Sequence, residues 1–489
     1  MVVRATAPGA DAFAGAVLRP RTGELLRDTV LLALATSVAA LCLGVALAIA
    51  AVRVRLPLRP LWWTALCLPL AMPSYVAAFA WMATWPTVHG FWPLVAVLTL
   101  CTVPYVTLPT MAALAAADHS LADVARTLGN GRLRAFVRGT LPQILPAAAG
   151  GTLLVALYAL SDYGAPAVLR VETLTTGVYA QFSSGFVRTL AASTALVLAA
   201  LAVLCVAGER IVRPRARPAW PGSPAPPRTL SARATAAVTV LLATVTLVSV
   251  GLPVLALVLR MLRSDRYGSA PADLGAALAT TLLVSAGAAT LTVLAALPVS
   301  LLAARHRGRL VAAVESVSYL GHALPGVVVA LALVALSLQF FPAAYQSLPV
   351  LLAAYAVLFL PKSIGASRAA AAAVPPALEE TARTLGDGPL RTWCRVTLPA
   401  MLPGILAGWV LVATAVAKEL PATLMLRPLG LETLATTLWA KTSLGAYGAA
   451  APVGVLLIVA GIVPALLLAR SLSRSIPRSD ADADGRGRR

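Results

Sequence analysis

The sequence predicts an all-α membrane protein built as two parallel-repeat halves of transmembrane helices. Three features lead there: the composition, the run of apolar stretches with arginine at their ends, and one long-range duplication. The chain has 489 residues, 59% of them hydrophobic and only 12% charged, with a mean hydropathy of +0.84. A soluble domain carries about 25% charged residues. A net charge of +20 would suggest nucleic acid in a soluble chain. Here it is first a topology signal, because Lys and Arg collect on the cytoplasmic side.

A helix needs about 20 apolar residues to cross a bilayer. Stretches free of Asp, Glu, Lys and Arg are 29–52, 60–117, 139–161, 189–208, 234–259, 274–304, 316–361, 396–417 and 442–469. Stretch 60–117 divides at Pro86–Gly90 and 316–361 near Phe341-Pro342, giving eleven spans. The runs are continuous rather than alternating, which excludes membrane strands. Basic loops at Arg53–Arg59, Arg126–Arg138, Arg210–Arg233, Arg305–Arg309 and Arg383–Arg395 share one side if the spans alternate. That side is cytoplasmic. Segment 209–233, rich in Arg, Pro, Gly and Ser, reads as a cytoplasmic linker between a first half, 1–208, and a second, 234–475. Residues 476–489 read as a disordered cytoplasmic tail. Span 234–259 has no counterpart in the first half. The first half is therefore expected to lack its first span, or the true start to lie upstream.

The duplication joins Asp123–Pro142 to Glu380–Pro399. Over 125–151 and 382–408, 257 residues apart, 15 of 27 positions are identical without a gap. Arg, Thr, Gly and Pro match as well as Leu and Ala, which marks a true internal repeat. Six spans separate the copies, so both face the cytoplasm as parallel repeats. Leu121, Val124, Ala125 and Leu128, and Leu378, Thr381, Ala382 and Leu385, recur at helical spacing. Asp123, Glu379 and Glu380 come early, where the helix dipole favours acids. Gly129 and Gly386 suit a left-handed terminus. A second basic helix should follow and end at Leu-Pro. Such paired loops, each with a small apolar face, suit docking.

The motif Glu-Ala-Ala-x₃-Gly-x₉-Ile-x-Leu-Pro is carried by membrane subunits of binding-protein-dependent ABC importers. The first loop resembles it at Asp123, Ala125, Gly129, Leu141 and Pro142, and the second at Glu380, Ala382, Gly386, Leu398 and Pro399. Departures are Asp for Glu and Val for Ala in the first loop, Thr for Ala in the second, and Gly139 and Val396 at the Ile position. The resemblance covers nearly the whole chain. Segments Ser161–Leu169 and Lys418–Pro428, with Gly430, Glu432–Thr436 and Trp439, further resemble the fused ferric-iron permeases. Fused permeases for thiamine, phosphonates and similar solutes are close relatives.

The resemblance implies a type I ABC importer permease fold, with twelve spans typical, in a bacterial plasma membrane. It also implies a mechanism. An extracytoplasmic binding protein delivers solute, two ATPase subunits grip the two loops, and their closure rocks the halves. The chain has no GxxxxGK[ST] phosphate loop, so ATP hydrolysis falls to the partners. An ion-gradient transporter is the reading from another class, and the paired docking loops argue against it. No motif points to a cofactor, a catalytic residue or a nucleic-acid partner. Five scattered cysteines and four histidines (His89, His119, His306 and His322) show no metal-ligand spacing.

Ionisable groups within spans default to functional hypotheses. Asp162 and Glu419 are equivalent in the repeat, and Glu172 and Glu432 form a second pair. Tyr163 and Lys418 neighbour the first pair. Carboxylates and phenolates suit a hard cation such as Fe³⁺. Capping of helix ends is the competing explanation. Asp162, Tyr163, Lys418, Glu419, Glu172 and Glu432 are thus candidate pathway residues.

Overall fold

The computed structural model describes residues 10–118, 120–184, 188–212, 227–263, 271–306, 308–311, 313–314, 318, 321 and 324–475. His119, His322, linker residues 213–226 and the tail 476–489 lie outside them. Among the described residues the regular structure is all helical, apart from a single isolated bridge, Val54 to Arg228.

Nine described helices are long and apolar enough to cross a membrane. Helix satisfies every backbone group within the segment, as lipid demands. A tenth candidate is the pair Arg59–Ala71 and Ser74–Thr84, bent by 88° at Met72-Pro73. The apolar helix Gly326–Phe340 is shorter, so the described residues carry nine or ten spans against the eleven expected. The first part of stretch 60–117 is therefore two helices joined at a sharp bend, not one straight span.

The duplication extends well beyond the loops. Helices Phe91–Ala116 and Leu348–Ala373 both have 26 residues and start 257 residues apart. Pro104 and Pro361 recur inside them, as do Pro146 and Pro403 further on. Each half then repeats a short helix, Gly164–Val168 or Pro421–Leu426. Ten-residue helices Leu174–Ser183 and Leu434–Ser443 follow.

The chain folds into two compact units whose bounds cross those of the sequence halves. One comprises Glu24–Thr173, Val203–Arg260 and Ile458–Arg489, and the other Met1–Gly23, Leu174–Ala202 and Met261–Leu457. Each therefore combines segments from both halves. The first is centred on Leu47, Ala51, Trp63, Leu66, Met111 and Ile144, with Leu242 and Val245 from helix Ala232–Thr246. Small residues let its helices approach: a Cβ on Gly44 would lie 2.8 Å from Val106 Cβ. The core of the second joins Val293, Ala371, Val374, Met401 and Ile405. There Gly408, the repeat of Gly151, faces Ala366.

Candidate functional site

Each loop opens on a short helix, Ser120–Thr127 or Pro376–Thr384. Both end in the same hydrogen bonds. Gly129 N–H donates to Arg126 O at 3.0 Å and Asn130 N–H to Ala125 O at 3.2 Å; Gly386 donates to Arg383 and Asp387 to Ala382, both at 3.0 Å. This is the Schellman pattern, with glycine at the left-handed position. Gly129 has φ +81° and Gly386 φ +93°. Ala125 and Ala382 thus supply the carbonyls that close the turn.

The second helix does not end at Leu-Pro, contrary to the sequence expectation. Helices Leu133–Ser161 and Pro389–Ala417 run straight on as spans. Proline lacks the N–H an α-helix needs and crowds the carbonyl four residues back. The chain absorbs this in one π-turn, Phe136–Thr140 or Trp393–Thr397. Leu141 N–H reaches Phe136 O, and Leu398 N–H reaches Trp393 O, five residues back. Leu141-Pro142 and Leu398-Pro399 therefore set a re-aimed helix entry.

The loops present matching apolar faces. Leu128 and Leu385 are 77% and 83% exposed, and Leu133 and Leu390 are 76% and 75% exposed. Leu121 and Leu378 are also exposed, while Ala122 and Ala382 are buried beneath. Asp123 and Glu380 are exposed beside these faces, and Asp123 pairs with Arg126 at 3.6 Å. Leucines at this exposure thus recur at both loops, 257 residues apart.

What anchors each loop differs. In the first, Gln143 Oε1 accepts from Asp118 N–H at 2.9 Å, and Gln143 Nε2 donates to Asp118 O at 2.9 Å and Gly139 O at 2.7 Å. Asp118 Oδ1 in turn accepts from Ser120 N–H at 3.0 Å, an Asx-turn contact where the short helix begins. In the second, Glu379 and Arg305 do this work. The pairings of Asp118 with Gln143 and of Glu379 with Arg305 were not legible in the motif. Only position-by-position differences between the copies hint at them.

The candidate pathway carboxylates occupy equivalent places. Asp162 follows the span Leu133–Ser161, and its Oδ1 accepts from Ser74 Oγ at 2.9 Å. Ser74 opens the second arm of the bent pair. Glu419 Oε1 accepts from Ala422 N–H at 3.2 Å and lies against Gly326, the first residue of Gly326–Phe340. Both acids meet helix N-termini, where negative charge is favoured. Tyr163 is buried, and Glu172 and Glu432 are exposed. Tyr105 and Tyr158 approach each other, ring centroids 6.2 Å apart. In the other unit Tyr355 OH and Thr423 Oγ1 are 2.7 Å apart. Lys362, which repeats the position of Tyr105, stands over the Phe359 ring and in the field of Glu419. Among the described residues no three His, Cys, Asp or Glu converge as a metal site. The oxygen donors around Asp162 are hydroxyls.

A duplicated, all-helical membrane protein with paired loops of this geometry is a transport permease. The chain belongs to the family described as binding-protein-dependent transport system inner membrane component, which it matches over residues 40–218 and 296–477. It is 32% identical over 474 residues to the Fe(3+)-transport system permease protein FbpB 2 of Haemophilus influenzae, covering 96% of this chain and 94% of that protein. It is 29% identical over 148 residues to the molybdate/tungstate transport system permease protein WtpB of Thermococcus kodakarensis, covering 30% of this chain and 60% of that one. The molybdenum transport system permease protein ModB of Mycobacterium tuberculosis is 34% identical over 158 residues, with the same coverage.

Proposed function

We propose that the chain is the permease of an ATP-driven importer of ferric iron, supplied by an extracytoplasmic binding protein. One ATPase subunit docks on each cytoplasmic loop. The observation that carries the docking is the repeated Schellman turn under a repeated leucine face. Asp123, Ala125, Gly129, Leu141 and Pro142 build the first surface, and Glu380, Ala382, Gly386, Leu398 and Pro399 the second. Closure of the ATPases on ATP moves these loops and the spans that continue from them without a break. Halves 1–208 and 234–475 are the two permease copies, and 209–233 is the cytoplasmic linker.

Iron is supported by likeness to an iron-transport permease over nearly its whole length. The molybdate and molybdenum permeases match over a far shorter segment. Chemistry supports the same choice. An oxyanion carrier gains from open helix N-termini, whereas Asp162 and Glu419 place carboxylates against those of Ser74–Thr84 and Gly326–Phe340. Acid, phenol and hydroxyl oxygens suit a hard cation. Asp162, Tyr163, Lys418, Glu419, Glu172 and Glu432 are the pathway residues of this reading.

The test is reconstitution of the permease with its ATPase and binding protein. Iron-loaded binding protein should drive ATP-dependent uptake, and molybdate-loaded binding protein should not. Uptake that persists without ATP on an ion gradient would overturn the proposal.

A further inference from the structure

The two docking loops differ in one respect that the motif does not encode. In the first, the docking helix lies flush on the span behind it. A Cβ on Gly139 would come within 2.8 Å of Ala122 Cα, and Phe136 packs into the core cluster. In the second, Val396 stands where Gly139 does and Glu379 where Ala122 does. That helix is not flush. A cleft of about 360 Å³ opens behind it, lined by Pro298, Leu301, Arg305, Arg383 and Trp393 among others.

Across this cleft the helix is tied by hydrogen bonds. Arg305 Nη2 donates to Glu379 Oε1 at 2.6 Å, Thr397 Oγ1 donates to the same oxygen at 3.0 Å, and Arg305 Nη1 donates to Val374 O at 3.2 Å. Both charged side chains are about one-fifth exposed, at 21% and 17%. Four segments meet here: the end of Pro271–Arg305, the end of Leu348–Ala373, the docking helix and the π-turn. At the first loop alanine holds the place of the acid, so the device has no copy there.

We infer that Arg305, Glu379 and Thr397 form a clasp through which the second docking loop moves helix Pro271–Arg305. These are positioning residues, and the two loops are unequal levers. The first transmits force by close backbone packing and by the neutral bracket of Gln143. The second adds, to the packing of its span on Pro271–Arg305, a charged, directional contact that a single uncharged substitution removes. The inference rests on the docking proposed above. Without the clasp, the ATPase would still bind and hydrolyse ATP, but less of its stroke would reach the end of helix Pro271–Arg305.

The test uses the full permease with its ATPase and iron-loaded binding protein in proteoliposomes, reading iron taken up per ATP hydrolysed. Co-purification of the ATPase reads docking separately. Glu379→Gln and Arg305→Gln should each lower uptake per ATP by at least about fivefold, the low end of a coupling free energy, with co-purification unchanged. The double variant should be no worse than either single, because one contact is lost once. Arg305→Lys should keep most of the coupling. If Glu379→Gln does not accumulate, Thr397→Val takes its place and should lower the same ratio. An unchanged ratio in these variants, or additive losses in the double, would overturn the clasp. Failure of the unaltered permease to hold the ATPase would overturn the docking reading instead.

Discussion

Replacing Gly386 by alanine isolates the conformational part of docking. At φ +93° the residue sits where an L side chain is strained, by roughly 1–2 kcal/mol. A Cβ there would meet nothing within 4 Å, so no clash adds to this. The strain falls on the turn closed by Asp387 N–H to Ala382 O. Relaxing it releases the hydrogen bonds that aim Leu385. If the docking-competent turn loses 1–2 kcal/mol, the apparent affinity for the ATPase at that loop should fall about 5- to 30-fold. Asparagine, which tolerates left-handed backbone better, should fall between glycine and alanine, and valine should be worst. The assay is ATPase binding to the purified permease in nanodiscs, with a thermal melt to show that the fold is intact. Alanine binding as well as glycine, or asparagine binding worse than alanine, would refute the reasoning. Gly129, at φ +81° and equally open, should show the same order.

The remaining predictions follow the same geometry. Leu128→Glu and Leu385→Glu place a charge on faces more than three-quarters exposed, so co-purification of the ATPase should be lost while the melting temperature holds. Gly139→Val puts methyl groups against the Ala122 backbone, and overpacking of this kind costs about 1–3 kcal/mol; a lowered melting temperature and weaker ATPase binding should appear together. Glu419→Gln should reduce iron uptake without preventing ATPase co-purification, and unchanged uptake would remove Glu419 from the pathway. Gln143→Ala deletes three hydrogen bonds at the root of the first loop, so amides of 118–128 should exchange hydrogen faster while those of 376–385 do not change.

Much of the fold was legible because lipid imposes a simple code. Long stretches without charge must be helices, because lipid leaves no other way to satisfy the backbone. The repeat was legible because Arg, Thr, Gly and Pro matched where lipid-facing chance would match Leu and Ala. The turns at Gly129 and Gly386 could be read locally, since a Schellman cap involves only six neighbouring residues. The π-turn was misread as a helix end. Proline's local rule says stop, but inserting one residue into the turn lets the helix continue into its span.

The sequence by itself determined the class: a helical membrane protein, duplicated in parallel, with two loops of one design. It did so because those features depend on composition and on spacing along the chain. Tertiary structure alone decided the rest. Ser74 and Asp162 are 88 residues apart and Arg305 and Glu379 are 74 apart. No periodicity announces such pairs, because hydrogen bonds across helices depend on where packing brings two helices together. The bend of 88° at Met72-Pro73 and the mixing of both sequence halves in each compact unit arise the same way. Two loops with one motif thus came to be anchored by different chemistry, a neutral glutamine bracket in one and a charged clasp in the other.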